Sequence, residues 1–187
     1  SKFSKKYDDL NIIKTTDRSL VMCEKIEIEK IPGYLEGEWW VQDYSAMLPL
    51  YLTKNLKDKY VVDTCAAPGG KSFQTLSDGA EIDLIEINPK RAKILKNNLN
   101  RLGYNKEIII KDTLDVKNIA KADYVLVDAP CSSVGTIRRN PEIFFRQSHP
   151  NIKEIINSQK KLLNKSKEML KKNGIIIYMV CSFLPIE

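Results

Sequence analysis

The residues able to do chemistry lie in a few short stretches. Cys131 ends the run Asp128-Ala129-Pro130-Cys131, and Cys181 comes directly after a continuous apolar run. A cysteine acts as a nucleophile through its thiolate, and a free thiol has a pKa of about 8.5, so either site must favour the thiolate or hand its proton on during attack. Sequence logic alone does not choose between the two. Cys65-Ala66-Ala67-Pro68-Gly69-Gly70-Lys71-Ser72 is a glycine-containing loop that lets a ligand approach the backbone. Glu86, Asp112 and Asp128 are acids that can accept hydrogen bonds from hydroxyl or amino groups. Four cysteines in 187 residues are too few for a disulfide scaffold, and no Cys-x-x-Cys pair suggests zinc, so no metal is expected. Cys23 is expected to behave as a small apolar residue.

These residues need elements that bring them together. From Lys59 onward the pattern alternates between strand and helix. Strands are predicted at 60–63, 82–87, 107–110, 124–127 and 175–180, the last continuous and apolar as buried parallel strands are. Asn88-Pro89 is an N-cap followed by proline in the first helical position, and Ala92, Leu95, Leu99 and Leu102 recur at helical spacing before Gly103. A long helix begins after His149-Pro150, with a stripe of Ile152, Ile155, Ile156, Leu162, Leu163, Met169 and Leu170 that Gly174 is expected to end. His149 is read as structural. Strands alternating with helices imply an α/β fold with a mainly parallel sheet covered on both faces. In such sheets ligands bind beyond the carboxyl ends of the strands. The Cys65–Lys71 loop, Glu86, Asp112, Asp128 with Cys131, and Cys181 each come at the end of one strand, so all fall on that edge.

Residues 1–40 read differently, as an irregular appendage ahead of a catalytic domain at 41–187. Lys2, Lys5 and Lys6 make a basic start, 21–28 alternates as a strand would, and Ile31-Pro32-Gly33 signals a turn. Residues 46–52 suggest a helix broken or entered at Pro49. Trp39 and Trp40 are expected to pack rather than to stack on bases.

The loop narrows the ligand. It ends in Gly-Lys-Ser, but a phosphate loop needs glycine where Cys65 stands, and the dinucleotide pattern G-x-G-x-x-G is absent. There is instead a tight loop, an acid after the second strand suited to ribose hydroxyls, and two more acids for a base and an amino group. A ligand with a ribose and an amino group but no phosphate is S-adenosylmethionine.

Thirty Lys and Arg against 24 Asp and Glu give a net charge of +6, which favours an acidic partner such as nucleic acid. The longest apolar run, 175–181, falls far short of the roughly 20 residues of a membrane helix, and no signal peptide opens the chain. The expectation is a soluble, cytoplasmic, monomeric protein.

Asp63-Thr64-Cys65-Ala66-Ala67-Pro68-Gly69-Gly70-Lys71-Ser72 resembles the first motif of the NOL1/NOP2/Sun family of RNA cytosine-5 methyltransferases. Asp128-Ala129-Pro130-Cys131-Ser132-Ser133, with Gly135, Arg138-Arg139 and Asn140-Pro141-Glu142, resembles the fourth, and Cys181-Ser182-Phe183-Leu184-Pro185 the sixth. Val41-Gln42-Asp43-Tyr44-Ser45-Ala46 is similar to the segment leading into the catalytic domain. Within the family the chain looks most like the bacterial Sun (RsmB) type, which acts on small-subunit ribosomal RNA.

The resemblance implies a Rossmann-like fold, S-adenosylmethionine as methyl donor and RNA, rRNA above all, as substrate. It implies that Cys181 attacks carbon 6 of cytosine, so that carbon 5 can take the methyl group, and that Cys131 assists release. Asp128 and Lys71 then hold the base or move its protons. Cys65, Ala66, Ala67, Pro68, Gly69, Gly70 and Lys71 form the cofactor loop with Glu86, Asp112 and Asp128, while Arg138 and Arg139 contact RNA phosphates.

The chain departs from the family in two places. Val180 stands where the family usually has Thr, and Ile186-Glu187 come after Pro185 where acids and Asn are usual. The family's final hairpin strands do not fit into residues 181–187, so the reading is of a C-terminally truncated catalytic domain with an N-terminal remnant of an RNA-binding region, and of weak turnover. The alternatives are a non-catalytic RNA-binding or ribosome-assembly module on the same fold, and a DNA cytosine-5 methyltransferase, whose nucleophile would be Cys131.

Overall fold

The structure, a computed structural model, describes residues 7, 12–16, 18–23, 26–53, 55–148 and 150–187. The chain divides into two compact units, Ser1–Trp40 with Arg101–Gly103, and Val41–Asn100 with Tyr104–Glu187. The readings of Lys2, Lys5, Lys6 and His149 lie outside the described residues.

In the first unit, β1 (Ile12–Thr16) and β2 (Ser19–Met22) pair antiparallel. The strand expected at 21–28 therefore lies earlier, and Ile28–Lys30 is a 3-10 turn instead. A strand continued past Ile31 would meet Pro32, which has no ladder donor. Trp39 is committed to packing inside this unit. Its Nε1 donates to the Pro32 carbonyl at 3.0 Å, and its ring centroid lies 5.1 Å from that of Tyr34. The Arg101 guanidinium sits 4.0 Å from the Tyr34 ring centroid and donates to the Trp39 carbonyl at 3.0 Å. Cys23 is exposed, against the expectation of a packed residue, because it comes after Met22, where the ladder ends.

The second unit is built on β3 (Tyr60–Asp63), β4 (Glu81–Ile85), β5 (Ile108–Ile109), β6 (Ala122–Asp128) and β7 (Leu170–Met179). They form one sheet in the order β5-β4-β3-β6-β7, with every neighbouring pair parallel. Successive strand residues face opposite sides of a sheet, yet Val61 and Val62 are both buried, as are Val125, Leu126 and Val127. Both faces are covered, which is why these strands read as continuous apolar runs.

The helices are α1 (Tyr44–Leu52), α2 (Gly70–Ser77), α3 (Pro89–Arg101) and α4 (Ile152–Met169). Asp43 caps α1 by accepting from Ser45 N at 3.1 Å, and the helix runs on through Pro49 rather than breaking there. Asn88 Oδ1 caps α3 by accepting from Lys90 N and Arg91 N, and Ala92, Leu95 and Leu99 are buried along it. On α4 the buried stripe is Gln159, Leu162, Ser166 and Met169, more polar than the isoleucine and leucine stripe read from the sequence. Gly174 does not end this helix. Met169 does, and β7 starts at once with Leu170 opposite Ala122. The ladder then skips, since Tyr124 pairs with Ile175, and Gly174 lies in that irregular stretch, where a side chain would meet the Ala122 carbonyl.

Chain order leaves β3 toward β4 and β5 on one side, then returns to β6 and β7 on the other. The switch point lies between β3 and β6, where open α/β sheets bind ligands.

Candidate active site

The loops beyond β3, β4, β5, β6 and β7 border one cavity of about 370 Å³ in the second unit. Cys65, Glu86, Asp112, Asp128, Cys131 and Cys181 all line it. These are predicted site residues from separate stretches of sequence, and the fold brings them together.

The loop after β3 works mainly by shape. Ala66 and Ala67 are buried, Pro68 is exposed, and the Ala67–Pro68 peptide is cis. Gly69 has φ of +117°, and a Cβ there would lie 2.0 Å from the Phe73 ring, so no other residue fits. Ala66 to Gly70 are not among the cavity's lining residues. The Ala67 N–H instead donates to Glu86 Oε2 at 3.2 Å, and the Ala67 carbonyl accepts from Arg91. The loop therefore positions Glu86.

Glu86 is almost fully buried, with Oε1 accepting from Asn88 N at 2.9 Å and Arg91 3.7 Å from Oε2. Asp112 accepts from Leu114 N at 2.9 Å. Cys65 is pushed up to about 12, by burial first and by the nearby Asp63 carboxylate second, so it remains a thiol and a packing residue. Asp63 is itself buried and raised to about 6 by desolvation, although it accepts from Ser72 Oγ at 2.7 Å and Cys65 N at 3.2 Å.

Across the switch point, Lys71 Nζ donates to Asp128 Oδ2 at 2.6 Å, which joins the first and fourth motifs. The two cysteine sulfurs are 3.1 Å apart. Cys181 is lowered to about 6, chiefly by a hydrogen bond from Cys131, whose own pKa rises as the other half of that pair. Desolvation and Asp128 oppose the lowering at Cys181. Close packing makes the contact: Gly135 N donates to the Cys181 carbonyl at 3.0 Å, and a Cβ on Gly135 would lie 3.0 Å from that oxygen.

The sequence reading missed several residues here. Buried Gln159 on α4 donates to the Pro130 carbonyl at 3.0 Å and to Glu187 Oε1 at 3.3 Å. Glu187 also accepts from Ser132 N at 2.8 Å and Ser132 Oγ at 2.5 Å. Together they tie the loop after β6 to the segment after β7. Ile87, Leu114 and Leu162 supply apolar cavity wall, and Arg91, Ser133 and Ser158 add polar groups to it. An apolar helical stripe can signal core or cavity wall, so Leu162 carried no distinct signal. Arg138 and Arg139 do not line the cavity; Arg138 is exposed, and Arg139 pairs with Asp43 at 3.0 Å. Among the described residues no cluster suited to a metal ion is found, and no helix is long and apolar enough to cross a membrane.

The lining fits an adenosyl sulfonium. Glu86, Asp112 and Asp128 outnumber the cations beside them, Arg91 in the lining and Lys71 on Asp128, which suits a positively charged ligand, and Ile87, Leu114 and Leu162 offer a surface for a flat base.

Sheet order, switch-point cavity and acid pattern define a Rossmann-like methyltransferase domain. A profile for 16S rRNA methyltransferase RsmB/F matches residues 50–187, and the chain belongs to that family. It is 33% identical over 177 residues to ribosomal RNA small subunit methyltransferase B of Shewanella oneidensis, covering 92% of this chain and 41% of that protein. The chain thus spans about two-fifths of the length of the curated relatives it matches. The crystal structure of a methyltransferase homolog protein from Pyrococcus horikoshii is similar with a TM-score of 0.80 and 27% identity, over 99% of this chain and 61% of that one. NSun6 from Pyrococcus horikoshii, solved with SFG, shares the fold with a TM-score of 0.76 at 21% identity, over 91% and 47% of the two chains. The family's methyl donor is S-adenosylmethionine.

Proposed function

We propose that this chain carries the catalytic domain of an enzyme that methylates carbon 5 of a cytosine in small-subunit ribosomal RNA. The observation that supports this best is the pair of sulfurs 3.1 Å apart on the loops after β6 and β7, lining one cavity with Glu86 and Asp112. A site that only bound RNA would have no use for a lowered thiol beside a second thiol.

Glu86 would hold the ribose hydroxyls of S-adenosylmethionine, with Asp112 and Asp128 near its base and amino group. That ligand supplies an electrophilic methyl group on a sulfonium, and the side chains do the rest. Cys181 adds as thiolate to carbon 6, which makes carbon 5 nucleophilic. Once carbon 5 has taken the methyl group, a base removes its proton and the Cys181 thiolate is expelled, which restores the ring, and Cys131 assists that release. Asp128, held by Lys71, binds the base and moves its ring-nitrogen proton. A cytosine inside a duplex cannot reach the thiol, so the target is unpaired or flipped out. Arg138 and Arg139 contact RNA phosphates, and residues 1–40 belong to an RNA-binding region.

Covalent trapping tests this reading. Protein, S-adenosylmethionine and unmodified small-subunit rRNA fragments are mixed and run on a denaturing gel. Cys131→Ala is expected to accumulate a protein–RNA adduct, and adding Cys181→Ala to abolish it. An adduct that depends on Cys131 instead would exchange the two roles. Absence of both adduct and methyl transfer in every variant would mean that this chain is inactive by itself, as a shortened enzyme or a binding module would be, and a DNA substrate that outcompetes RNA would leave a DNA methyltransferase.

A further inference from the structure

Ser133 belongs to the fourth-motif loop and has no part in the mechanism above. We propose that its hydroxyl is a catalytic hydrogen-bond partner of the Cys181 sulfur, accepting from the thiol and donating to the thiolate. This rests on the reading of Cys181 as the nucleophile.

The backbone sets the geometry. Ser133 has φ of +63°, a left-handed conformation that disfavours a side chain and suits glycine. A serine held there is strained where glycine would not be, and strained residues gather at functional sites. The turn is fixed on both sides. Thr136 N and Oγ1 both donate to the Ser133 carbonyl, at 2.9 and 2.8 Å, and Gly135 in the same turn donates to the Cys181 carbonyl at 3.0 Å. The hydroxyl is thereby delivered to both sulfurs. The Cys181 thiol donates to Ser133 Oγ at 3.4 Å, and Cys131 Sγ lies 3.9 Å from the same oxygen.

A hydroxyl both accepts and donates, and its hydrogen rotates to suit. When Cys181 loses its proton, the contact at 3.4 Å reverses without movement of heavy atoms. A bond that strengthens as charge appears on sulfur favours the charged form. The chain neighbours do not duplicate this contact. Val180 has no hydroxyl, and that of Ser182 is engaged by Ser132 Oγ and Leu184 N. The titratable and charged groups that face Cys181 are Cys131, which donates to it, and Asp128, which opposes ionisation and is held by Lys71. Ser133 thus works beside Cys131 against Asp128.

The test is alkylation by iodoacetamide as a function of pH, read for each cysteine-containing peptide by mass spectrometry. Wild type, Ser133→Gly and Ser133→Ala are compared. Ser133→Gly removes the hydroxyl and relieves the backbone, so its thermal stability is expected to hold or rise. The Cys181 midpoint is expected to move up by about one pH unit in both variants, which means roughly tenfold less thiolate below the midpoint. Methyl transfer is expected to fall in the same proportion at low pH and to recover as pH rises. A folded Ser133→Gly protein with an unmoved Cys181 midpoint would overturn the proposal. The alkylation readout needs no RNA, so a moved midpoint in a protein that methylates nothing supports the Ser133 contact while sinking the methylation reading. An unmoved midpoint in an active enzyme sinks the contact alone.

Discussion

On the β4 side of the switch point the acid proposed to hold the methyl donor is locked to backbone. Glu86 is buried and accepts from the N–H groups of Ala67 and Asn88. On the β7 side the functional groups hold one another. Cys131 and Cys181 are in contact, Lys71 binds Asp128, and Cys181 is exposed. A carboxylate that receives a ligand's hydroxyls need only keep its place, and backbone donors fix it. A thiol that must gain and lose a proton needs partners that titrate or rotate with it. The first half is built to stay and the second to change state.

Substitution should separate the halves. The largest effect is expected from Cys181→Ala, which should abolish methyl transfer, a loss of about 10³-fold or more, while S-adenosylmethionine binding by calorimetry is unchanged. Equal loss of binding would erase the division. Next, Glu86→Ala should weaken S-adenosylmethionine binding by about tenfold or more and lower stability by about 1–3 kcal/mol, because buried N–H groups lose their acceptor. Calorimetry and thermal melts read the two effects. The cysteine half should show a pH signature. Adduct formation should rise as pH passes through about 6, following ionisation of Cys181. Cys131→Ala should move that rise upward, since it removes the main donor.

An effect on stability alone, with none on chemistry, concerns Asp63, beneath the loop. Its folded pKa is raised to about 6 from the ordinary value of 3.8, so the fold binds its proton more tightly than the unfolded chain does. Its contribution is therefore most favourable at low pH and is lost as pH rises from about 4 through about 6, by an amount of order 2–3 kcal/mol. Denaturant melts across that window should show the decline, and Asp63→Asn should flatten it. Smallest is Glu187→Ala, which frees Ser132 and Gln159. It should lower methyl transfer by about tenfold or less and leave S-adenosylmethionine affinity alone.

The sequence carried much of this. The buried parallel strands announce themselves as apolar runs, and Asn88-Pro89 marks a helix start by local chemistry. Glu86 and Asp112 could be placed on one edge because each comes just after a strand. Other features depend on distant parts of the chain. Gln159 looks like a surface polar residue until the Pro130 carbonyl and Glu187 are seen beside it. Ser133 gains its meaning from a left-handed turn and a cysteine 48 residues away. Gly174 imitates a helix stop because glycine serves helix ends and strand irregularities alike. The β1–β2 hairpin was missed because its strands are only five and four residues long.

The sheet order has a further consequence. The loop that seats Glu86 leaves β3, and the Asp128–Cys131 loop leaves β6, and these strands are direct neighbours in register from Val61 with Tyr124 to Asp63 with Leu126. Neighbouring strands lie about 4.8 Å apart, a spacing set by backbone hydrogen bonds alone. The offset between the two halves is thus gauged by a ruler that side-chain substitutions other than proline leave in place. Side chains across most of the domain can therefore change while the two halves keep the same separation.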